Sequence, residues 1–428
     1  MRTLIKGGEL INPAGGYHQI ADLLMEDGKI VRIGHLPEEI QAADHVIDAA
    51  GLLVVPGLID IHVHFREPGY PDKETIASGS LAAAAGGFTS VVCMPNTKPA
   101  IDTAETLTSV LEEGRKSAVV HVYSSAAITR GIQGEQLTDM EALFHAGAVT
   151  FTDDGRTVVD SSIIYEAFVT AARLGVPISS HCEDHRLVTA GAINRGEISR
   201  RLGDPGISPL GEELMIARDL LLAEETGARL HIQHVSTARG VQLIREAKRR
   251  GVHVTAEGAP HHFSITDEKV LEFGALAKVN PPLRTAQDVE AVASGLADGT
   301  LDVIATDHAP HTAAEKRLPL AQAPFGMVGL ETCVGLTFTH LVHTGKLSVD
   351  AAVAKLTIEP AQIMSLPGGT LSEGANADVT LIDPNKEWVV EPEAFHSKST
   401  NCPFAGMKLR GKAVATFVSG QCVYKEAR

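Results

Sequence analysis

The stretch Leu58-Ile-Asp-Ile-His62-Val-His64 joins an apolar β run to two histidines at its end. Seven further apolar runs follow it along the chain, and stretches with helical spacing separate them. They cover 88–94, 119–125, 148–153, 176–181, 229–235, 253–257 and 302–307. Alternating β and α segments are typical of a parallel sheet, and eight strands are the number that closes a barrel. The sequence therefore predicts an α/β fold built on a (β/α)8 TIM-type barrel.

Both ends of the chain have a different pattern, in which short β segments are joined by tight turns. The pairs Asp27-Gly28 and Ser419-Gly420 each suit a two-residue hairpin between two such segments. The two ends together predict a small discontinuous β-sandwich domain, in which the chain termini lie near each other. The boundaries that we expect are 1–56 and 363–428 for the sandwich and 57–362 for the barrel.

The chain has 428 residues, with 37 Lys and Arg against 53 Asp and Glu and a formal net charge of −16. So acidic a protein is unsuited to polyanionic partners, which argues against binding to nucleic acid or to an anionic membrane surface. Its five cysteines form no CxxC pair, and its N-terminal residues lack the apolar core of a signal peptide. No apolar stretch approaches the roughly 18 residues of a membrane span. We therefore expect a cytoplasmic protein.

Five side chains that can bind a metal ion stand at the ends of the apolar runs. They are His62, His64, His181, His234 and Asp307. Because the carboxyl ends of the strands of a parallel barrel meet on one face, these side chains share one mouth. Five ligands are too many for a single tetrahedral catalytic zinc, so a two-metal site with a shared carboxylate is the more economical interpretation. Imidazoles and carboxylates without clustered thiolates favour zinc first and manganese or cobalt second.

Four segments of the chain carry recognisable motifs. The two long ones read Asp60-Ile-His62-Val-His64-Phe65-Arg66-Glu67-Pro68 and Ala305-Thr306-Asp307-His308-Ala309-Pro310-His311-Thr-Ala-Ala-Glu315-Lys316. The two short ones read Cys93-Met94-Pro95-Asn96-Thr97 and Asn280-Pro-Pro-Leu-Arg284. Together they resemble the dihydroorotase family of the amidohydrolase superfamily, in its bacterial Bacillus-like type, over nearly the whole chain. The resemblance implies a zinc enzyme of pyrimidine biosynthesis, with two zinc ions per subunit, that reversibly cyclises N-carbamoyl-L-aspartate to L-dihydroorotate and water.

The fourth apolar run departs from a pattern that is common in the superfamily. Many members bridge their two metals with a carboxylated lysine at the end of this strand, but residues 148–155 contain no lysine. The resemblance to the Bacillus-like type implies an aspartate bridge instead. By position we expect Asp154, with Asp153 as the alternative, although the pair followed by Gly155 is also typical of a simple turn.

The resemblance also implies roles for individual residues. Asp307 would act as the catalytic proton carrier as well as a metal ligand, taking the proton of the bridging water and passing it to the leaving nitrogen. Arg66 follows the first strand, and its planar guanidinium suits the carboxylate of the substrate. The expected substrate-binding residues are His64, Phe65, Arg66, Asn96, Asn280, His311, Phe325 and Gly326. Residues 311–329 are expected to form a loop over the mouth of the barrel.

Two other functions remain open at this stage. A hydantoinase, dihydropyrimidinase or allantoinase would share the fold and the paired histidines, but these enzymes act on substrates without this carboxylate and generally use the bridging lysine. A non-catalytic dihydroorotase-like scaffold subunit would have lost metal ligands, whereas all five are present here. The expected partners are a small-molecule substrate and a second copy of the chain in a homodimer, with aspartate carbamoyltransferase as an associated enzyme.

Overall fold

The computed structural model describes residues 2–37, 43–188 and 190–426. In these ranges the β-strands are β1 (Arg2–Asn12), β2 (Tyr17–Glu26), β3 (Lys29–Gly34), β4 (His45–Asp48), β5 (Leu53–Pro56), β6 (Leu58–Val63), β7 (Phe88–Cys93), β8 (His121–Ser124), β9 (Ile178–Ser180), β10 (Leu230–Ile232), β11 (Val254–Gly258), β12 (Val303–Ile304), β13 (Val379–Val389), β14 (Lys408–Val418) and β15 (Gln421–Lys425).

The α-helices of the same ranges lie mostly between the barrel strands. They are α1 (Ile76–Gly86), α2 (Ala104–Ser117), α3 (Met140–Ala146), α4 (Ser161–Leu174), α5 (Glu197–Leu202), α6 (Pro209–Thr226), α7 (Ala238–Arg250), α8 (Pro260–Ser264), α9 (Lys269–Phe273), α10 (Ala286–Ala297), α11 (Ala313–Lys316), α12 (Cys333–Thr337), α13 (Val349–Leu356) and α14 (Ile358–Ile363). None of these helices is long and apolar enough to cross a membrane.

The barrel consists of two parallel sheets joined by short bridges. One sheet has the order β6-β7-β8 and the other β9-β10-β11-β12. Phe151 pairs in parallel with Ala126 and with Ile178 and so fills the position between β8 and β9, while Val63 pairs with His308 and closes the ring. The eight predicted runs therefore lie in sequence order around one barrel, which confirms the predicted (β/α)8 fold.

The fourth run is the least regular strand of the barrel. We expected a strand over 148–153, but the pairing is limited to isolated bridges at Phe151. Towards β9, the Phe151 amide donates to Pro177 O at 3.3 Å and the Ser179 amide donates to Phe151 O at 2.9 Å, while Pro177 has no N–H with which to extend this pairing. By contrast, every residue of β6 and β7 is buried, as in a strand covered on both faces.

Local signals explain where two of the predicted helices begin and end. Helix α1 was expected over 73–86 and begins at Ile76, because the Thr75 side chain accepts a hydrogen bond from the Ser78 amide and caps it. It ends at Gly86 and is capped by Gly87, whose φ of 94° suits a residue without a side chain. Helix α6, expected over 210–226, starts one residue earlier at Pro209, the position at which proline is favoured.

Both ends of the chain contribute to one sheet of order β15-β14-β13-β5-β1-β2-β3, with β4 paired to β1. The sheet surrounds a hydrophobic core of its own that includes Leu10, Leu23 and Phe417, and the predicted β-sandwich from both termini is thereby confirmed. The two turn pairs, 27–28 and 419–420, have positive φ at both residues, as a two-residue hairpin requires. We propose the boundaries given above because β5 ends at Pro56 and the last barrel helix, α14, ends at Ile363.

Candidate metal centre

The carboxyl ends of the barrel strands bring six buried side chains together. His62, His64 and Asp154 form one group of three candidate metal ligands, and Asp154, His181 and His234 form a second. Within each group the ligand atoms lie within 4.8 Å of one another. Asp307 adjoins the first group, since its Oδ1 lies 3.1 Å from His64 Nε2 and 3.6 Å from His62 Nε2. The arrangement therefore has two ligand groups that share one carboxylate.

The spacing of the atoms around Asp154 suits ions held between them. Asp154 Oδ1 lies 3.4 Å from His62 Nε2 and 3.5 Å from His181 Nδ1, while Oδ2 lies 3.4 Å from His64 Nε2. Ligands that bind one tetrahedral zinc at 2.0 to 2.2 Å are separated from each other by about 3.4 Å. The side chains are thus at the separations that a shared metal centre needs.

Asp153 faces away from the histidines. Its Oδ1 accepts a hydrogen bond from the Thr129 amide at 2.9 Å, and its Oδ2 accepts one from the Thr129 hydroxyl. Burial raises the pKa of Asp153 to about 6, which is the behaviour of an enclosed carboxyl without a strong positive neighbour. Of the two aspartates left open by the sequence, Asp154 is the one that touches both histidine groups.

Two of the histidines are oriented by hydrogen bonds at the ring nitrogen that points away from the centre. His62 Nδ1 donates to Glu257 Oε1 at 2.5 Å, and His64 Nδ1 donates to Asn96 Oδ1 at 2.9 Å. The His62 Nε2 atom is buried and has no hydrogen-bond partner among the described residues. A histidine held in this way presents a free lone pair, which is how metal-binding imidazoles are usually fixed.

The electrostatics of the centre favour cations. Burial alone would lower the pKa of His62, but the charges of Glu257 and Asp154 raise it well above its usual value. Burial would likewise lower the pKa of His181, but its hydrogen bonds to Asp154 and Glu183 outweigh this effect and raise that pKa to about 10. The buried carboxylates thus draw protons onto imidazoles in the absence of another cation, and the residues fit a divalent metal that would take the place of those protons.

Three residues of the site adopt backbone conformations that are unfavourable for side chains other than glycine. Arg66 has φ 61°, His234 has φ 31° and Asp307 has φ 50°. Each lies two or three residues beyond the end of a barrel strand, and all three side chains line the cavity described below. Left-handed conformations at non-glycine residues are costly and are concentrated at functional sites, where packing enforces them.

A cavity of about 170 Å³ opens beside the ligands. It is lined by His64, Arg66, Asn96, Asp154, Gly155, His181, His234, Val279, Asn280, Asp307, Ala309, His311, Phe325 and Gly326. All but one of the residues expected to bind substrate are in this lining. The exception is Phe65, whose side chain is buried in the hydrophobic core and meets the ring of His308 edge-on at 6.4 Å.

One side of the cavity carries positive charge. His311 Nε2 lies 2.7 Å from Phe325 O and therefore bears the proton, so its Nδ1 is left to accept from Lys73 Nζ at 3.4 Å. Burial and the adjacent Arg66 and Lys73 charges lower the pKa of His311 to about 2, so the ring is neutral. Arg66 is held by a hydrogen bond from its Nε to Pro310 O at 3.2 Å. Its guanidinium therefore faces the cavity as a fixed cation.

The two asparagines of the cavity are tied to acidic neighbours. Asn280 Nδ2 lies 3.1 Å from each carboxylate oxygen of Glu183. Asn96 accepts from His64, as described, and its Nδ2 donates to Asp154 Oδ2 at 3.3 Å. Asn96 thus bonds to two candidate metal ligands and also lines the cavity, while the Glu183 carboxylate orients the Asn280 amide.

Sequence reasoning missed the two acidic residues that orient the site. Glu257 accepts from His62 and from the His234 amide at 3.1 Å, and its second oxygen lies 3.0 Å from His231 Nε2. It stands at the end of the seventh run, 253–257, at the same position as the ligands of the other runs. That position was a usable signal. Glu183 follows His181 by two residues and lies beyond the end of the fifth run, so its position did not indicate a role in orienting the site.

Comparisons with known proteins agree with this description. A family model described as Dihydro-orotase-like matches residues 51–240. The dihydroorotase of Pelotomaculum thermopropionicum is 53% identical over 427 residues, covering 100% of this chain and 99% of that protein. The dihydroorotase of Syntrophus aciditrophicus is 47% identical over 426 residues and is covered completely, as is this chain.

Solved structures of related enzymes share the fold. L-hydantoinase (dihydropyrimidinase) from Arthrobacter aurescens superposes with a TM-score of 0.90 at 27% identity, covering 100% of this chain and 96% of that one. A D-hydantoinase superposes with a TM-score of 0.87 at 26% identity, covering 99% and 95%. Sequence similarity over the whole chain therefore lies with dihydroorotases, and structural similarity extends to hydantoinases.

Proposed function

The chain belongs to the dihydroorotase family of cyclic amide hydrolases, and we propose which of its residues carry out the interconversion of N-carbamoyl-L-aspartate and L-dihydroorotate. The observation that carries this proposal is a single cavity with two halves. On one side lie two ligand groups that share Asp154, and on the other lies the cation of Arg66 beside a neutral His311. A substrate with a ring amide and a carboxylate needs both halves at once.

We propose zinc as the metal, with two ions per subunit. His62, His64, Asp154 and Asp307 would hold one ion, and His181, His234 and the same Asp154 would hold the other. The donor set of imidazoles and carboxylates favours zinc over magnesium or calcium. Bound there, the metal pair would polarise the ring carbonyl and lower the pKa of water from about 15.7 toward about 7.

Asp307 is the residue that we assign to proton transfer. Burial alone would raise its pKa, but the adjacent His64 ring and the charge of His62 keep that pKa below the usual value. The carboxylate is therefore ionised at neutral pH and lies in the cavity lining, where it can accept a proton from water. In hydrolysis it would pass this proton to the ring nitrogen that leaves, and in cyclisation the same transfer runs backward.

Arg66 is the residue that we assign to the substrate carboxylate. Its pKa is lowered by burial to about 10, so the guanidinium stays charged at neutral pH. The backbone of Phe325 and Gly326 and the side chains of Asn96, Asn280 and His311 would contact the rest of the ring. This cation also separates the activity from that of hydantoinases, because a buried guanidinium without an anion to pair with disfavours an uncharged ring.

A comparison of substrates on one sample tests the assignment. Hydrolysis of L-dihydroorotate, hydantoin and dihydrouracil is measured beside the metal content of the same preparation. We expect two metal ions per chain and a kcat/KM for dihydroorotate at least about tenfold above that for either of the other rings. Faster turnover of hydantoin, or less than one metal ion per chain, would contradict the assignment.

We further propose that the protein is a cytoplasmic homodimer that associates with aspartate carbamoyltransferase. The exposed apolar side chains of Tyr165 and Val169 on α4, and of Leu214 and Leu221 on α6, support a contact with another subunit. All five cysteines are free, which supports a reducing compartment. Sedimentation of the purified protein, alone and mixed with that transcarbamoylase, checks both associations.

A further inference from the structure

A buried ammonium group lies behind the cavity, on the side away from the metal ligands. Lys316 is 6% exposed, and its Nζ donates to Ala275 O at 2.9 Å, to Lys278 O at 3.2 Å and to Pro324 O at 2.9 Å. An ammonium has three N–H groups, so all three are used. The three carbonyls belong to two chain segments that are about fifty residues apart in sequence.

These two segments carry one face of the cavity. Lys278 precedes Asn280 by two residues, and Pro324 directly precedes Phe325 and Gly326. We call residues 275–280 and 324–326 the substrate wall. The Gly326 amide donates to Lys278 O at 2.9 Å, so this carbonyl receives the Lys316 side chain and the Gly326 backbone together. Lys278 O is thus the atom through which the segment that carries Asn280 is joined to Gly326.

A second lysine ties the same segments in the opposite direction. Lys278 Nζ donates to Leu320 O at 2.7 Å and lies 4.3 Å from the centre of the Phe325 ring. The side chain of Lys316 therefore reaches the backbone near 278, and the side chain of Lys278 reaches the backbone near 320. Few regular elements support this part of the chain, since between His311 and Gly329 the structure has only the four-residue helix α11.

We propose that Lys316 is a positioning residue for substrate binding, because its ammonium holds the two segments of the substrate wall at the separation that Asn280 and Gly326 need to contact the ring. The inference rests on the substrate-binding roles proposed above. Lys316 lies outside the cavity lining and does not touch the reacting atoms.

The energetic cost of this lysine supports a role beyond packing. Within the described ranges Lys316 forms no ion pair, so the three backbone carbonyls are the groups that bond to its charge, and Glu315 favours it from a longer distance. Burial and the nearby charge of Lys278 lower the pKa of Lys316 to about 7. An apolar side chain of the same length would avoid this desolvation, but it would remove the link between the two segments. Ala275 O and Lys278 O would keep the amides of Lys278 and Gly326 as donors, whereas Pro324 O would lose the ammonium donor.

Lys355 provides a matched control. It is 5% exposed, and its Nζ donates to Leu301 O at 2.9 Å and to Asp302 O at 3.3 Å. These carbonyls immediately precede β12, at the end of the barrel opposite to the metal ligands. Lys316→Met and Lys355→Met therefore each remove a buried amine that bonds to backbone carbonyls, near the substrate wall in one case and far from it in the other. Lys355 differs in that its Nζ also lies 3.4 Å from Glu359 Oε2.

The test compares both variants with the wild-type enzyme in kcat, KM for L-dihydroorotate, metal content and melting temperature. We expect Lys316→Met to raise KM about tenfold or more while kcat stays within about threefold, with the metal content unchanged. Lys355→Met should lower the melting temperature to a similar extent and leave KM within about twofold. Should Lys316→Met not fold, Lys316→Gln replaces it. The glutamine amide keeps an N–H that can reach one carbonyl, so we expect a smaller rise in KM.

An unchanged KM in the Lys316 variant, an equal rise in both variants, or loss of metal from the Lys316 variant would each overturn the inference. A wild-type enzyme that fails to hydrolyse dihydroorotate would overturn the proposed function instead. The two failures are therefore distinguishable, since one is seen only in the variant and the other in the unmodified protein.

Discussion

The ligand side of the cavity and the substrate wall are held in place by different kinds of contact. The ligands stand at the ends of paired strands, so backbone ladders fix their positions, and hydrogen bonds such as that from His62 to Glu257 fix their orientation. The substrate wall consists of irregular chain held by side chains that reach distant carbonyls, above all that of Lys316. The geometry of the metal ligands therefore depends on paired strands, whereas the positions of Asn280 and Gly326 depend on a few long-range hydrogen bonds.

The largest effect is expected on the ligand side, from the carboxylate that both ligand groups share. Asp154→Asn removes the charge next to four imidazoles, so we expect both metal ions to be lost and activity to fall by at least about 10⁴-fold. Metal content and dihydroorotate hydrolysis of the purified variant measure this. Asp153→Asn is the matched control, because this side chain bonds to Thr129 instead and should keep both metals. Equal metal loss in the two variants would show that the bridge is misassigned.

The next effect is expected where the cavity meets the substrate carboxylate. Arg66→Ala removes the fixed cation, and the loss of a charge-assisted contact should lower kcat/KM for dihydroorotate by about 10²- to 10³-fold. Bound metal should stay near the wild-type level, since Arg66 is not a ligand. Steady-state kinetics with metal analysis of the same sample checks this. Loss of the bound metals from this variant would show that Arg66 supports the metal ligands and does not act only on the substrate carboxylate.

A smaller effect is expected from the residue that orients the ligands. Glu257→Gln keeps the shape of the side chain but weakens its hold on His62 Nδ1 and on the His234 amide. Such changes behind a ligand typically cost about 10- to 100-fold in metal affinity. Competition with a chelator of known affinity measures this loss, and excess zinc should restore most of the activity. Activity that stays low at saturating zinc would mean that Glu257 acts on the reaction itself.

The same division explains which parts of the molecule could be predicted from the sequence. Strand runs and ligand types are local signals, so the barrel and the positions of His62 and Asp307 at its mouth could be read directly. The fourth strand was expected to be longer than the bridges at Phe151, because the extent of its pairing depends on the neighbouring strands and not on the run itself. The role of Lys316 could not be predicted, because its partners lie up to forty-one residues away and are backbone atoms.

The smallest effect on catalysis is expected at Phe65, which the family resemblance assigned to substrate binding. Its ring instead packs against helix α1, where a methyl group on Gly79 would approach it to 2.5 Å. Phe65→Leu should therefore leave KM and kcat within about twofold and lower stability by about 1 to 2 kcal/mol, since part of the ring volume is lost. Thermal unfolding and kinetics of one preparation separate the two effects.

The Phe65 prediction also tests where the hydrophobic core ends and the cavity begins, because the next residue, Arg66, lies in the cavity. The two residues are neighbours in one motif, and they leave the same strand end with side chains on opposite sides, one in the hydrophobic core and one in the cavity. If Phe65→Leu lowered kcat/KM as Arg66→Ala is expected to do, the motif as a whole would form the binding surface. An unchanged KM with a lower melting temperature would show instead that the boundary between core and cavity runs between two adjacent residues.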